Sequence, residues 1–250
     1  MHNTSGDRPV ALITGASSGI GEAVARELYE AGYRLVLAAR RAERLRRLAD
    51  ELGDPERVMT HETDLRQVSS IDGLFAAIRE RWGGVDVLVN NAGLGRLSPL
   101  LSGDEELWRE MLEVNVLALC ICTREAVKDM RSRGDKGQIL HISSMAAHRV
   151  PGGSGVYSAT KFAVRSLTEG LRLELRAANS GIRVASVSPG FVETEFAEVY
   201  HGDKSKAEET YSRYKVLEPR DVATTCRQLI EMPQHVEIHD VLMRPTDQPS

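Results

Sequence analysis

The chain has 250 residues, 42% of them hydrophobic and 27% charged, and a formal net charge of −4. That length suits one large α/β domain over 1–250, and the charge gives no support for a nucleic-acid partner. No apolar stretch reaches the ~18 residues of a membrane span.

The N-terminal segment 1–8 is polar, lacks the apolar core of a signal peptide and reads as flexible. Cys120, Cys122 and Cys226 make neither a disulfide framework nor a metal quartet. They read as buried small hydrophobes, no metal is expected, and a cytoplasmic location follows.

Residues 9–14 form a short apolar run without alternation, the pattern of a strand buried on both faces. Gly15-Ala16-Ser17-Ser18-Gly19-Ile20-Gly21 follows and leads into a helix from Glu22. A strand, a glycine-rich turn and a helix start together make a phosphate cradle, because glycines admit the ligand and first-turn amides meet its charge. The spacing Gly-x-x-x-Gly-x-Gly is neither the general Gly-x-Gly-x-x-Gly fingerprint nor a P-loop.

A second strand over 34–39 ends at Arg40-Arg41. The tip of this strand meets the adenosine ribose in a dinucleotide fold, where an acid selects NAD and an arginine accommodates the 2′-phosphate of NADP. Arginine here predicts NADP(H); Arg41 also has a bland reading as part of the basic run Arg44, Arg46, Arg47. Residues 56–63 read as a weaker strand leading to Asp64-Leu65, and 67–82 as a helix. A fourth strand over 85–89 exits into Asn90-Asn91-Ala92-Gly93, a turn suited to a ligand.

Residues 104–132 read as one long helix containing Asn115, a poor residue for a helix interior. A strand over 138–142 ends at Ser143-Ser144, and a Gly/Pro-rich loop leads to a helix opening with Tyr157-Ser158-Ala159-Thr160-Lys161. Tyr157 and Lys161 then share one helical face. At about 4 Å and an effective dielectric of roughly 20, their attraction is on the order of 4 kcal/mol, which pulls the phenol towards neutral pKa and makes it an acid–base group. Tyr-x-x-x-Lys recurs at Tyr200/Lys204 and Tyr211/Lys215, in a charged stretch without a serine-tipped strand, where it reads as exposed surface. A strand over 182–187 runs into Pro189-Gly190; the Glu-, Lys- and Tyr-rich stretch 193–215 reads as a mobile substrate lid or a plain surface helix. A helix over 219–232 and a strand over 236–243 close the chain.

Alternating strands and helices predict a doubly wound parallel sheet of about seven strands, Rossmann-like, with ligands beyond the carboxyl ends of the strands. Gly15, Arg40, Asp64, Asn90, Ser144 and Pro189 all fall at such ends.

On this ordered set the chain resembles the short-chain dehydrogenase/reductase family along nearly its whole length. The resemblance implies that Tyr157 donates and accepts the proton, that Ser144, rather than its rival Ser143, holds the substrate oxygen, and that Lys161 tunes Tyr157. It implies a proton path through Asn115. It also implies cofactor contacts from Gly15, Ser17, Ser18, Gly19, Ile20 and Gly21 at the phosphates, and from Arg40 and Arg41 at the ribose. Asp64 and Leu65 would face the adenine, with Asn91, Ala92 and Gly93 beside them. Pro189, Gly190, Val192 and Thr194 would face the nicotinamide, with Tyr157 and Lys161. Residues 115–126 and 241–246 are similar to an NADP(H)-linked branch that includes farnesol dehydrogenases and ketosteroid reductases, which implies lipophilic alcohols and ketones. The family's common Gly-Gly near the last strand is replaced by His239-Asp240. Other readings on the same scaffold are a 3-oxoacyl-carrier reductase, with Arg96 or Arg149 receiving an acidic carrier, and an NADPH-binding redox sensor without turnover. The family also implies a homodimer or homotetramer, paired through 104–132 and 154–178.

Overall fold

The structure, a computed structural model, describes residues 8–249. The expected flexible N-terminus therefore lies outside the described residues except for Arg8. Seven parallel strands form one sheet in the order β3-β2-β1-β4-β5-β6-β7. They are β1 (Val10–Thr14), β2 (Arg34–Ala39), β3 (Val58–Glu62), β4 (Val87–Asn90), β5 (Lys136–Ile142), β6 (Gly181–Pro189) and β7 (Asp240–Met243). The helices are α1 (Gly19–Glu30), α2 (Ala42–Leu52), α3 (Val68–Trp82), α4 (Glu105–Leu112), α5 (Ala118–Ser132), α6 (Gly155–Ala177), α7 (Phe196–His201), α8 (Lys204–Ser212) and α9 (Pro219–Glu231).

Both faces of the sheet are covered, which is why the central strands are apolar without alternation. Ala11 and Ile13 belong to the core beneath α1 and α9, whereas Val10 and Leu12 pack with Ile71, Phe75 and Ile78 of α3. The strand order reverses between β1 and β4. Such a switch point opens a crevice at the carboxyl edge of the sheet, and the cavity described below lies there.

Two elements depart from the sequence expectation. The single helix over 104–132 is broken by a π-helical turn, Glu113–Leu117, between α4 and α5. Its cause is tertiary: Asn115 points inward, and its amide serves the backbone of Leu94 on a distant loop. The last strand begins at Asp240, not Val236. The Arg183 guanidinium donates to the carbonyls of Ile230, Met232, Pro233 and Val236, at 2.9–3.2 Å. Part of the stretch before β7 is thereby bonded to a side chain instead of a strand ladder. Cys122 and Cys226 are buried as expected, but Cys120 is half-buried.

Candidate active site

The glycine-rich turn after β1 is shaped by two positive φ angles, +67° at Gly15 and +58° at Gly19. A Cβ on Gly15 would stand 2.9 Å from the Ala92 Cα, and one on Gly19 3.1 Å from the Thr194 Cγ2. Only glycine fits both the conformation and the approach. The turn is sewn to the exit of β4. The Asn91 and Ala92 amides donate to Thr14 Oγ1 at 3.1 and 3.0 Å, and Asn91 Nδ2 donates to the Thr14 carbonyl at 2.9 Å. Helix α1 starts at Gly19, so its unpaired first-turn amides open at this turn.

A cavity of about 720 Å³ runs from this turn to the ends of β5 and β6. Of the residues expected at a cofactor, Gly15, Ser17, Ser18, Gly19 and Ile20 line it. So do Arg40, Arg41, Asp64 and Leu65, then Asn91, Ala92 and Gly93, and on the far side Tyr157, Lys161, Pro189, Gly190, Val192 and Thr194. Gly21 does not: it backs the turn, where a Cβ would overlap Gly15 O and Asn91 Nδ2. Asn90 also leaves the rim; its amide turns inward and donates to Thr123 Oγ1 at 2.9 Å.

Arg41 is not simply part of a solvated basic face. Its guanidinium donates to Ser17 Oγ at 3.1 Å and Ser18 Oγ at 2.5 Å, and pairs with Glu195 at 2.7 Å. Arg44 takes the other Glu195 oxygen at 2.6 Å. Arg66, hydrogen-bonded to Asp64, holds that carboxyl below the usual carboxylate range.

At the other end, Ser144 Oγ accepts from the Ala146 amide at 3.1 Å, and the hydroxyl lies close enough to the Tyr157 phenol to favour its charged form. Ser143 also lines the cavity, but its buried Oγ has no partner. Lys161 Nζ donates to the Ile142 carbonyl at 2.9 Å and stands 5.9 Å from the Tyr157 ring centre. The expected electrostatic balance is reversed here. Burial pushes the Tyr157 phenol up to about 12, with Ser144 opposing it. Burial also brings the Lys161 ammonium down to about 8. At this separation, desolvation outweighs attraction.

Asn115 is 2% exposed and lies behind the cavity wall. Its Oδ1 accepts from the Leu94 amide at 2.9 Å; its Nδ2 donates to the Leu94 carbonyl at 2.8 Å and to Thr160 Oγ1 at 3.0 Å. It braces the β4 exit loop against the helix that carries Tyr157 and Lys161.

The wall beside Tyr157 is apolar, and 193–215 contributes two aromatic rings to it. Phe196 and Tyr200 pack on the Tyr157 ring with centroids 5.4 and 6.1 Å away. Tyr211 donates its hydroxyl to the Thr194 carbonyl at 3.1 Å. Tyr200 and Tyr211 are thus not exposed surface, and the expectation for those two tyrosines fails. Their lysines play no part there: Lys204 opens α8, and Lys215 pairs with Glu218. Near the C-terminus, Gln248 is buried against the cavity and accepts from the Phe191 amide at 3.0 Å. A signal for the aromatic wall was present: four of the chain's ten Phe and Tyr residues, Phe196, Tyr200, Tyr211 and Tyr214, fall within 193–215. Nothing local marked Glu195 or Gln248, whose partners are distant in sequence.

A family model described as short chain dehydrogenase matches residues 9–204. The chain belongs to the short-chain dehydrogenases. It is 49% identical over 246 residues to "Dehydrogenase/reductase SDR family member 11" of Bos taurus, covering 96% of each chain. It is 37% identical over 244 residues to a farnesol dehydrogenase of Aedes aegypti, covering 94% of this chain and 95% of that one. Among solved structures, the closed form of a serine dehydrogenase complexed with NADP+ superposes with a TM-score of 0.91 at 35% identity, over 96% of each chain.

As a short-chain dehydrogenase the chain is an oxidoreductase with a Rossmann-like fold. Its cavity suits a dinucleotide: it has a glycine cradle that any Cβ would fill, with arginines beside it. Among the described residues, no helix is long and apolar enough to cross a membrane, and no cluster of His, Cys, Asp and Glu is placed to hold a metal.

Proposed function

We propose that this short-chain dehydrogenase is an NADP(H)-dependent carbonyl reductase or alcohol dehydrogenase acting on a small or lipophilic substrate of steroid or terpenoid type. The observation that carries the reading is that Ser144, Tyr157 and Lys161 line one cavity that is continuous with the glycine turn. When bound, the cofactor supplies or accepts the hydride. Gly15, Ser17, Ser18, Gly19 and Ile20 would hold its phosphates, with Gly21 backing the turn. Arg40 and Arg41 would take the 2′-phosphate. Asp64 and Leu65 would face the adenine, and Asn91, Ala92 and Gly93 the adjacent ribose. Pro189, Gly190, Val192 and Thr194 would face the nicotinamide.

Tyr157 then supplies the proton. A phenol raised to about 12 is fully protonated at neutral pH, the state needed to donate to a carbonyl oxygen as it gains charge. Ser144 donates a hydrogen bond to the same oxygen. Lys161, still largely cationic at pH 7, places positive charge beneath the phenol as the proton leaves. Asn115 acts as a positioning residue through Leu94 and Thr160. The segment 193–215 closes the substrate end: Phe196 and Tyr200 offer apolar faces, which favours a lipophilic substrate over a charged one. The name of the Aedes relative points the same way. Self-association through 104–132 and 154–178 belongs to the reading, supported by the exposed Leu117 of the π turn and Phe162 and Leu173 of α6.

The test is Tyr157→Phe. Turnover of ketones with NADPH should fall about a thousandfold, while NADPH binding, followed by cofactor fluorescence, stays within a factor of about two. Unchanged turnover would refute the assignment.

A further inference from the structure

Glu195 stands at a junction that the reaction itself does not use. It immediately precedes α7, so its position sets where Phe196 and Tyr200 sit against Tyr157. Both of its oxygens are taken from across the cavity mouth, Oε2 by Arg41 and Oε1 by Arg44, at 2.7 and 2.6 Å. Arg41 also donates to Ser17 and Ser18 of the glycine turn. The bridge therefore joins the lid to the phosphate cradle.

The bridge is also a partition. Ser17, Ser18, Gly19, Thr194 and Glu195 line the main cavity and also a second one of about 810 Å³. Arg41 lines only the first and Arg44 only the second. The Glu195 side chain is 45% exposed, so an anion can reach its partners from solvent. Its two arginines hold its carboxyl down at about 2, so it is charged at every physiological pH. Exposed pairs of this kind are weak individually. A phosphate monoester carries up to two charges and three acceptor oxygens, and matches the arginine fork better than one carboxylate.

We propose that Glu195 is a specificity-determining residue: an internal anion paired with Arg41 and Arg44 that is displaced from Arg41 by the 2′-phosphate of the cofactor, loosening the start of the lid. The inference rests on the NADP(H) reading above. Displacement couples arrival of the phosphate to movement of Phe196 and Tyr200. Return of Glu195 to Arg41 favours departure of the spent cofactor. A dinucleotide without the 2′-phosphate leaves the bridge closed.

The experiment measures binding, not turnover. Dissociation constants of NADPH and NADH are read by fluorescence on the intact wild-type chain, Glu195→Gln and Glu195→Ala. Adenosine 2′,5′-bisphosphate and AMP serve as fragment probes. Both variants should bind NADPH and the bisphosphate about fivefold more tightly, with NADH and AMP unchanged. Weaker NADPH binding in the variants would overturn the inference, because Glu195 would then be orienting the arginines for the phosphate. Equal tightening of NADH would overturn it too, because the bridge would be blocking the whole site. Wild type that binds NADPH, with no tightening in either variant, sinks this inference alone. Wild type that binds neither dinucleotide sinks the NADP(H) reading and this inference with it.

Discussion

Lys161 follows Tyr157 by one helical turn, yet its ammonium donates to the Ile142 carbonyl and lies 5.9 Å from the phenol ring centre. Spacing in the sequence places two side chains on one face; it does not fix their separation or the loss of solvent around them. Here that loss decides the direction, because both groups are buried. The adjacent serines pose the same problem. Ser143 and Ser144 are indistinguishable by composition, and both line the cavity. Their environments separate them: Ser144 is held by the Ala146 amide and lies close enough to Tyr157 to favour its charged form, while the buried Ser143 hydroxyl has no partner. Ser144→Ala should therefore lower kcat by about a hundredfold, the usual loss for one donor at a developing oxyanion. Ser143→Ala removes no hydrogen bond, so its kcat should stay within a factor of about three. Parallel kinetics on the two variants check this, and equal losses would show that the assignment of the serines is wrong.

At the scale of elements, the strands were legible because β1, β2, β4 and β5 are apolar runs bounded by turn residues, and no partner was needed to recognise them. The break between α4 and α5 was not legible, since its cause is a loop about twenty residues away. Asn115 in a helix signals a conflict with propensity, but only the fold shows that Leu94 resolves it. The same holds for the segment before β7, whose carbonyls are bound by Arg183. These cases share one cause, a side chain substituting for backbone hydrogen bonding across the chain. The π turn carries a measurable consequence. Asn115→Ala leaves the Leu94 amide and carbonyl without their side-chain partner, while Thr160 keeps its bond to the Tyr157 carbonyl. Each of the two unpaired buried groups costs about 1–3 kcal/mol, so the variant should lose about 2–6 kcal/mol. Urea unfolding reads this as a lower midpoint at unchanged slope. A loss below about 0.5 kcal/mol would mean that the brace carries no weight.

For the whole molecule, the convergence of strand ends on one rim follows from parallel order alone, which is why five of the six rim residues singled out in the sequence do line the cavity. The sixth, Asn90, shows what that reasoning lacked: a strand-end residue can point into the core. There it joins a network that ties β4 and β5 to α5 and α6 on one face of the sheet. Asn90 donates to Thr123 Oγ1 of α5, which bonds His141 Nε2 at 3.3 Å on β5; His141 Nδ1 meets Thr168 Oγ1 of α6 at 2.9 Å. Thr168 gives its proton to the Val164 carbonyl, so it accepts from Nδ1–H. With that proton on Nδ1, the neutral ring presents a bare Nε2, to which Thr123 donates while accepting from Asn90. Every bond is satisfied by the neutral ring, and a second ring proton would have to share Thr123 Oγ1 with the Asn90 amide. Burial, helped by the Lys161 charge, accordingly brings His141 down to about 3. The folded pKa lies below the unfolded value of about 6.5, so between them the unfolded chain binds the extra proton and stability falls as pH falls. From pH 6.5 to 5 this site alone should remove about 2 kcal/mol. His61, also shifted down by burial, adds to the slope in wild type and variant alike. Urea midpoints measured across that window on wild type and His141→Gln isolate the network: Gln keeps a donor and an acceptor but cannot titrate, so its curve should be flatter by about that amount. Parallel curves for the two proteins would mean that His141 is not held neutral by the helices and strands it joins.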